Sequence, residues 1–329
     1  MSVPPLRLAS AVSLALLLAS PTFAIDDLRR YASLFNQSTD PIAFEYNAPL
    51  GGFGPESGMP LPLMEIELVD ALLNAKDVDP VTGIDFRKVT SSITLGLAPE
   101  TITILHGEPG YADGHVAAIS ARAFDRHMLG DIAVYARGAD NSTDFDLVSE
   151  KDAFGYGMGM SQRLANPDDD LIITRNWPTM EKVLAHRDAK PKSPNPWRTA
   201  LDILAELSGD NHVEGAIGWQ DSMAREIMVM TGLVSYRTAI FSLEFQQDQP
   251  IMRTIMVFEA PLSEAESTID TILENARTTS EGLGTLETDI IERDGFSVSV
   301  VTITASTSHE EARQVLQMFS IMATQGDTL

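Results

Sequence analysis

Along this chain, short runs alternate apolar and polar residues with a period of two, and others repeat with the helical period of three to four. The exception comes first. Leu8 to Ser20 (LASAVSLALLLAS) is an apolar run that follows the base Arg7 and ends at Pro21, before Thr22-Phe23-Ala24. Basic, apolar and small-residue regions in that order predict a secretory signal peptide cleaved after Ala24. The run falls short of the roughly 20 residues that span a bilayer. No later stretch is apolar enough to span one, so no membrane insertion is expected after signal removal.

Asp26 to Phe35 reads as a short amphipathic helix with acids in its first turn. Residues 47–62 hold eight prolines and glycines, among them Pro49, Gly51, Gly52 and Pro62, and read as a loop. Leu63 to Ala75 reads as a helix. Two similar successions of elements follow. The first predicts strands at Ser91–Leu95, Thr101–His106, Ile132–Arg137, Phe154–Leu164 and Leu171–Thr174, and helices at Asp113–Arg126 and Thr179–Arg187. After the proline-rich KPKSPNPW, Asn195 is expected to cap a helix from Pro196 to Leu207. The second succession predicts strands at Tyr236–Phe245 and Ile251–Phe258, then a helix capped by Ser263 with Glu266 completing a capping box. A hairpin of Leu286–Glu292 and Phe296–Ile303 turns at Arg293-Asp294-Gly295. Ser308 and Glu311 open a final helix to Met322.

Both successions have the order ββαββα, with one extra short strand in the first. The expected fold is therefore α+β, as two tandem ferredoxin-like (split βαβ) sandwich lobes. The expected divisions are a signal peptide at 1–24, an N-terminal helix and Pro/Gly-rich segment at 25–62, a first lobe at 63–187, a linker and helix at 188–210, and a second lobe at 211–329. Two stacked sheets are expected to leave a groove between the lobes.

Composition narrows the chemistry. There is no cysteine among the 329 residues, which removes disulfides, thiolate metal sites and cysteine nucleophiles together. Lys+Arg number 23 against 47 Asp+Glu, for a net charge of −24. Such a field repels phosphate backbones, so nucleic acid is not an expected partner. The G-x-S-x-G elbow, S-x-x-K, H-E-x-x-H and the P-loop pattern are all absent from the sequence.

The remaining candidates are local. His106, Glu108 and His115 put two imidazoles and a carboxylate where a strand meets a helix, conceivable ligands for zinc or a similar ion. Asp113 is expected to cap that helix, leaving His115 exposed in its first turn. Met158 and Met160 place two soft thioethers on one strand face, a Cu(I)-like set that Met228 and Met230 echo. In the same strand Gly155, Gly157 and Gly159 line the opposite face, a flat floor for a helix, ligand or partner strand. Arg163 follows it and suits an anionic group. Asn166 to Asp170 reads as a solvated acidic turn. Asn141-Ser142-Thr143 fits a glycosylation sequon. No cofactor is indicated.

The expected function is a secreted or periplasmic, non-catalytic binding or interaction module for an extracytoplasmic protein or small ligand. The alternatives are an exported hydrolase without short motifs, or a Met-based copper binder.

Overall fold

The computed structural model describes residues 23–31, 34, 43–47, 77–96, 100–146, 154, 159–168, 170–186, 195–220, 236–279, 284–308 and 310–315. The apolar run at 8–20, the breaker-rich segment at 48–62 and the helix expected at 63–75 lie outside them.

Twelve strands form one open antiparallel sheet: β1 Ala43–Asn47, β2 Val89–Leu95, β3 Ile102–Gly107, β4 Asp125–Leu129, β5 Ile132–Arg137, β6 Gln162–Ala165, β7 Asp170–Thr174, β8 His212–Gln220, β9 Thr238–Gln246, β10 Gln249–Phe258, β11 Gly284–Arg293 and β12 Phe296–Ala305. Their order is β11-β12-β10-β9-β8-β1-β2-β3-β7-β6-β5-β4. The helices are α1 Phe23–Tyr31, α2 His115–Ser120, α3 Trp177–His186, α4 Pro196–Ser208, α5 Leu262–Thr279 and the turns at 310–315, here α6. The fold is α+β, as the sequence order implied.

The halves follow one scheme. Strands β1-β2-β3 form a meander, and so do β8-β9-β10. After each meander a helix, α2 or α5, leads to strands that return to the third one: β7 pairs with β3, and β12 with β10. The stacked arrangement expected from the sequence does not occur. Strand β1 pairs antiparallel with β8, Phe44 opposite Gly218 and Tyr46 opposite Ala216, so both halves share one sheet. Among the described residues there is one sheet, and so no groove between stacked sheets.

Strands β1 and β8 were not predicted, and the reason is visible in β8 (HVEGAIGWQ). Its two glycines lower strand propensity. Gly218 is required because β8 meets the paired rings of Phe44 and Trp197, whose centroids lie 5.3 Å apart. A Cβ at Gly218 runs into both rings. Gly218→Ala is therefore expected to cost about 1–3 kcal/mol through overpacking. A urea midpoint that does not move relative to wild type would show that the rings can retreat.

The sheet has a helical layer on each face. On the front, Leu28 and Tyr31 of α1, Met180 and Val183 of α3 and Trp197 and Leu201 of α4 join a continuous apolar cluster with the strands. Asn195 caps α4 as expected, its Oδ1 accepting from the N–H of Trp197 (2.8 Å) and Arg198 (3.2 Å). On the back, Ile119 of α2 covers the first half with Ile84 and Phe86. Ala265 and Ile269 of α5 and Ala312 of α6 cover the second.

Several local expectations are corrected. Helix α2 is shorter than Asp113–Arg126, because Ala123 turns to φ +59° and the chain re-enters the sheet as β4. Its N-cap is Gly114, with no side-chain cap, so Asp113 does not play that part. Helix α5 starts at Leu262. The amides of Glu264 and Ala265 donate to the carbonyl of Pro261, so no capping box forms at Ser263. The box at Ser308 and Glu311 does form. The Ser308 amide donates to Glu311 Oε2 (2.9 Å), and the Glu311 amide to Ser308 Oγ (3.3 Å).

Candidate functional site

Strand periodicity decides where the candidate residues go. On β3, Ile102 and Ile104 join the front cluster and Leu105 the back one. His106 is in phase with Ile104 and so faces front. His115 is 1% exposed, not exposed as its first-turn position suggested. Its Nδ1–H donates to the Thr82 carbonyl (2.7 Å), and its ring meets Phe154 edge-on in the back cluster. The two histidines thus lie on opposite faces of the sheet, and Glu108 is exposed. The structure does not bring this trio together. Among the described residues, no group of three or more His, Asp or Glu side chains is placed to hold a metal ion.

What does assemble is a four-residue polar network at the front. Asp170 opens β7, in phase with Ile172 of the front cluster, directly opposite His106 of β3. His106 Nδ1–H donates to Asp170 Oδ1 (3.0 Å). Tyr31 Oη donates to Asp170 Oδ2 (2.5 Å), and Arg30 reaches the same oxygen at 3.0 Å. Both of the latter come from α1. One carboxylate therefore ties the N-terminal helix to two strands.

Asp170 is 1% exposed. Burial pushes its carboxyl up. The hydrogen bonds from His106 and Tyr31 and the Arg30 charge outweigh that and hold it below the ordinary 3.8. A depressed native value means the carboxylate's contribution is complete above 3.8 and is lost as pH falls through that lower native value. Asp170→Asn is expected to cost about 2 kcal/mol at neutral pH. The gap between wild type and variant should narrow as the medium is taken to strong acid. Denaturant unfolding at a series of pH values measures this, and a gap that stays constant removes the ionised carboxylate from the account.

Sequence reading missed this network, because Asn166–Asp170 looked like a solvated acidic turn. The signal was present. Asp170 precedes LIIT and falls in the inward phase with Ile172, the place where a buried acid stands out.

Arg163 lies on β6 and is 2% exposed. Its guanidinium donates to the carbonyls of Arg137 (3.0 Å), Gln162 (2.8 Å) and Gly138 (2.9 Å), and to Asp140 Oδ1 (2.6 Å). It also lies 5.2 Å from the Trp177 ring centre. It is a brace for the chain leaving β5 rather than an arm offered to an anion.

The expected strand from Phe154 shortens to Gln162–Ala165, since Phe154 sits in a turn and Gly159 takes φ +64°. The regular alternation expected there therefore fails at Gly159. Gly155, Gly157 and Met158 lie outside the described residues, as do Met228 and Met230. Met160 pairs with Thr143 in an isolated bridge, and its sulfur meets the Arg175 guanidinium.

Asn141, of the expected sequon, turns at φ +55°, and its Oδ1 accepts from Asn176 Nδ2 (3.2 Å). In the second half the counterpart of the Asp170 network is an ion pair. Arg253 of β10 grips Glu244 of β9 through Nε (2.9 Å) and Nη2 (3.1 Å). No described helix is long and apolar enough to cross a membrane.

No family model matches this chain, and no curated protein does. Crystal forms of TP0453 are similar in outline. Form III has a TM-score of 0.41 at 11% identity, over 85% of this chain and 99% of that one. Form IV has 0.41 at 11%, over 86% and 98%, and form I has 0.37 at 10%, over 86% and 98%. A likeness this distant bears on neither activity nor partners.

Proposed function

We propose that this chain is an exported, non-catalytic binding or interaction module acting in the periplasm or outside the cell. The observation that carries this reading is the use the fold makes of its chemistry-bearing side chains. Asp170 takes three donors, Arg163 reaches four acceptors, and His115 is bonded to Thr82 inside the back cluster. These groups hold elements together. Export rests on the signal-like run at 8–20, and a partner of neutral or basic character on the net charge of −24. Ferredoxin-like halves belong to the same proposal. The order β9-β10-β12-β11, with α5 between β10 and β11, has the leading strand in the fourth place of a split βαβ unit.

One observation favours an exported hydrolase as the second reading. His106 is held at Nδ1 by a buried carboxylate, as a general base is held in acyl-transfer enzymes. Native protein from the extracytoplasmic fraction, analysed by mass spectrometry for its first residue and bound material, separates the readings. The proposal expects a chain beginning at Ile25 with a retained ligand or partner. Intact Met1 in the cytoplasm defeats export. Ester or amide hydrolysis abolished by His106→Gln, in a chain that stays folded, defeats the non-catalytic part.

A further inference from the structure

One end of the sheet differs from the other in a way that bears on partners. At the far end β4 is a five-residue strand. At the near end β11 runs for ten residues, Gly284 to Arg293, with no proline. Its register with β12 is unbroken from Gly284↔Ala305 to Arg293↔Phe296. Among the described residues no strand pairs with its outer side. Natural edges are usually short, bulged or broken by proline, because a long regular edge invites another strand. This one is long, unbulged and free of proline, and its only protection is charge, from Glu287, Asp289 and Glu292.

The turn fixes which backbone groups face outward. Asp294 and Gly295 have φ +55° and +84°, the signature of a two-residue type I′ turn. In such a hairpin the residues flanking the turn, Arg293 and Phe296, exchange hydrogen bonds, and bonded pairs then alternate along the ladder. The amides and carbonyls of Leu286, Thr288, Ile290 and Glu292 consequently point away from β12. The Ile290 amide donates to the exposed Asp289 Oδ1 (2.8 Å), a local acceptor that an incoming carbonyl can replace.

Side chains on β11 divide by phase. Glu287 and Asp289 lie with Ile291 on one face, and Ile290, 37% exposed, lies with Leu286, Thr288 and, next to the turn, Glu292 on the other. Arg293 is already held by Glu206 of α4 at 2.7 and 2.8 Å, so it does not offset those acids. A strand beside β11 thus meets the carboxylates of Glu287 and Asp289 along one face and, along the other, the uncharged stretch Leu286, Thr288 and Ile290 before Glu292 at the turn end. A second copy, edge to edge, sets acids against acids and is disfavoured. The complement is an extended segment that alternates basic and apolar residues.

We propose that β11 is a docking edge where an extended, alternately basic and apolar peptide adds a thirteenth strand. This deepens the binding-module reading and rests on it, by naming the partner class. The probe is a synthetic peptide of about ten residues with alternating Lys and Val. Amide hydrogen exchange of the full chain is read with and without it. Slowed exchange at Leu286, Thr288, Ile290 and Glu292 is expected. Binding should be weakened about tenfold by the pair Glu287→Lys and Asp289→Lys, and lost with a peptide N-methylated at alternate amides.

Three results overturn the proposal: no protection at β11, equal binding of the methylated peptide, or a concentration-dependent dimer that shields β11 without peptide. If β11 stays unprotected while native protein retains some other ligand, this proposal fails and the binding-module reading stands. If the peptide docks as expected on a chain that proves to be a hydrolase, the edge stands and that reading fails.

Discussion

Arg253→Met is expected to destabilise the chain by about 3–5 kcal/mol, the usual result of removing one partner from a buried ion pair. Glu244 is fully buried on β9, and Arg253 is 6% exposed on β10. The carboxylate also accepts from Ser242 Oγ (3.0 Å) and Asn211 Nδ2 (3.3 Å). The guanidinium also donates to Thr302 Oγ1 (2.9 Å) and to the Leu207 carbonyl (3.4 Å). The pair therefore links α4, β9, β10 and β12. Without Arg253 the carboxylate remains in an apolar setting with two neutral donors. Adding Glu244→Leu should recover most of the loss, since two apolar side chains of similar volume leave no unmatched charge. Urea unfolding of wild type, the single variant and the double variant measures both effects. A double variant as unstable as the single one would mean that the other hydrogen bonds, rather than charge matching, dominate.

Arg163→Met comes second, at an expected cost of about 3 kcal/mol. The loss leaves the carbonyls of Arg137, Gln162 and Gly138 without that donor, and removes the cation from the face of Trp177. Arg163→Lys should recover less than half. An ammonium is a single point with three donors and cannot spread over acceptors that a planar fork reaches together. Chemical denaturation followed by tryptophan emission reports both stability and the Trp177 environment. Full recovery by lysine would point to charge alone and count against the fork geometry.

The two regions differ in how openly the sequence displayed them. The β11–β12 hairpin was legible because Asp294-Gly295 is a strong local turn signal between alternating strands. Asn195 before Pro196 was legible because capping is decided within a few residues. The single sheet was not. It depends on β1 pairing with β8, and the pairing is marked by Gly218, which fits Phe44 and Trp197 and reads locally as a strand breaker. The candidate site was hidden for a related reason. His106 was visible as a histidine at a strand end. Its partners Asp170, Tyr31 and Arg30 come from distant parts of the chain, and Asp170 resembled the acidic turn beside it. Arg163 was visible, but its role in packing was not, because two of the carbonyls that bind it belong to β5 and the turn beyond.

The seam between β1 and β8 also sets the order in which the molecule can be completed. As the chain is made from its amino end, β1 acquires β2 long before residues 212–220 exist. Until then one side of β1 is an unfinished border at what will become the middle of the sheet. A first half without β8 therefore leaves one side of β1 unpaired at a position that lies inside the finished sheet. An unpaired strand border of this kind is where a holding factor or a wrong strand can engage a half-made sheet.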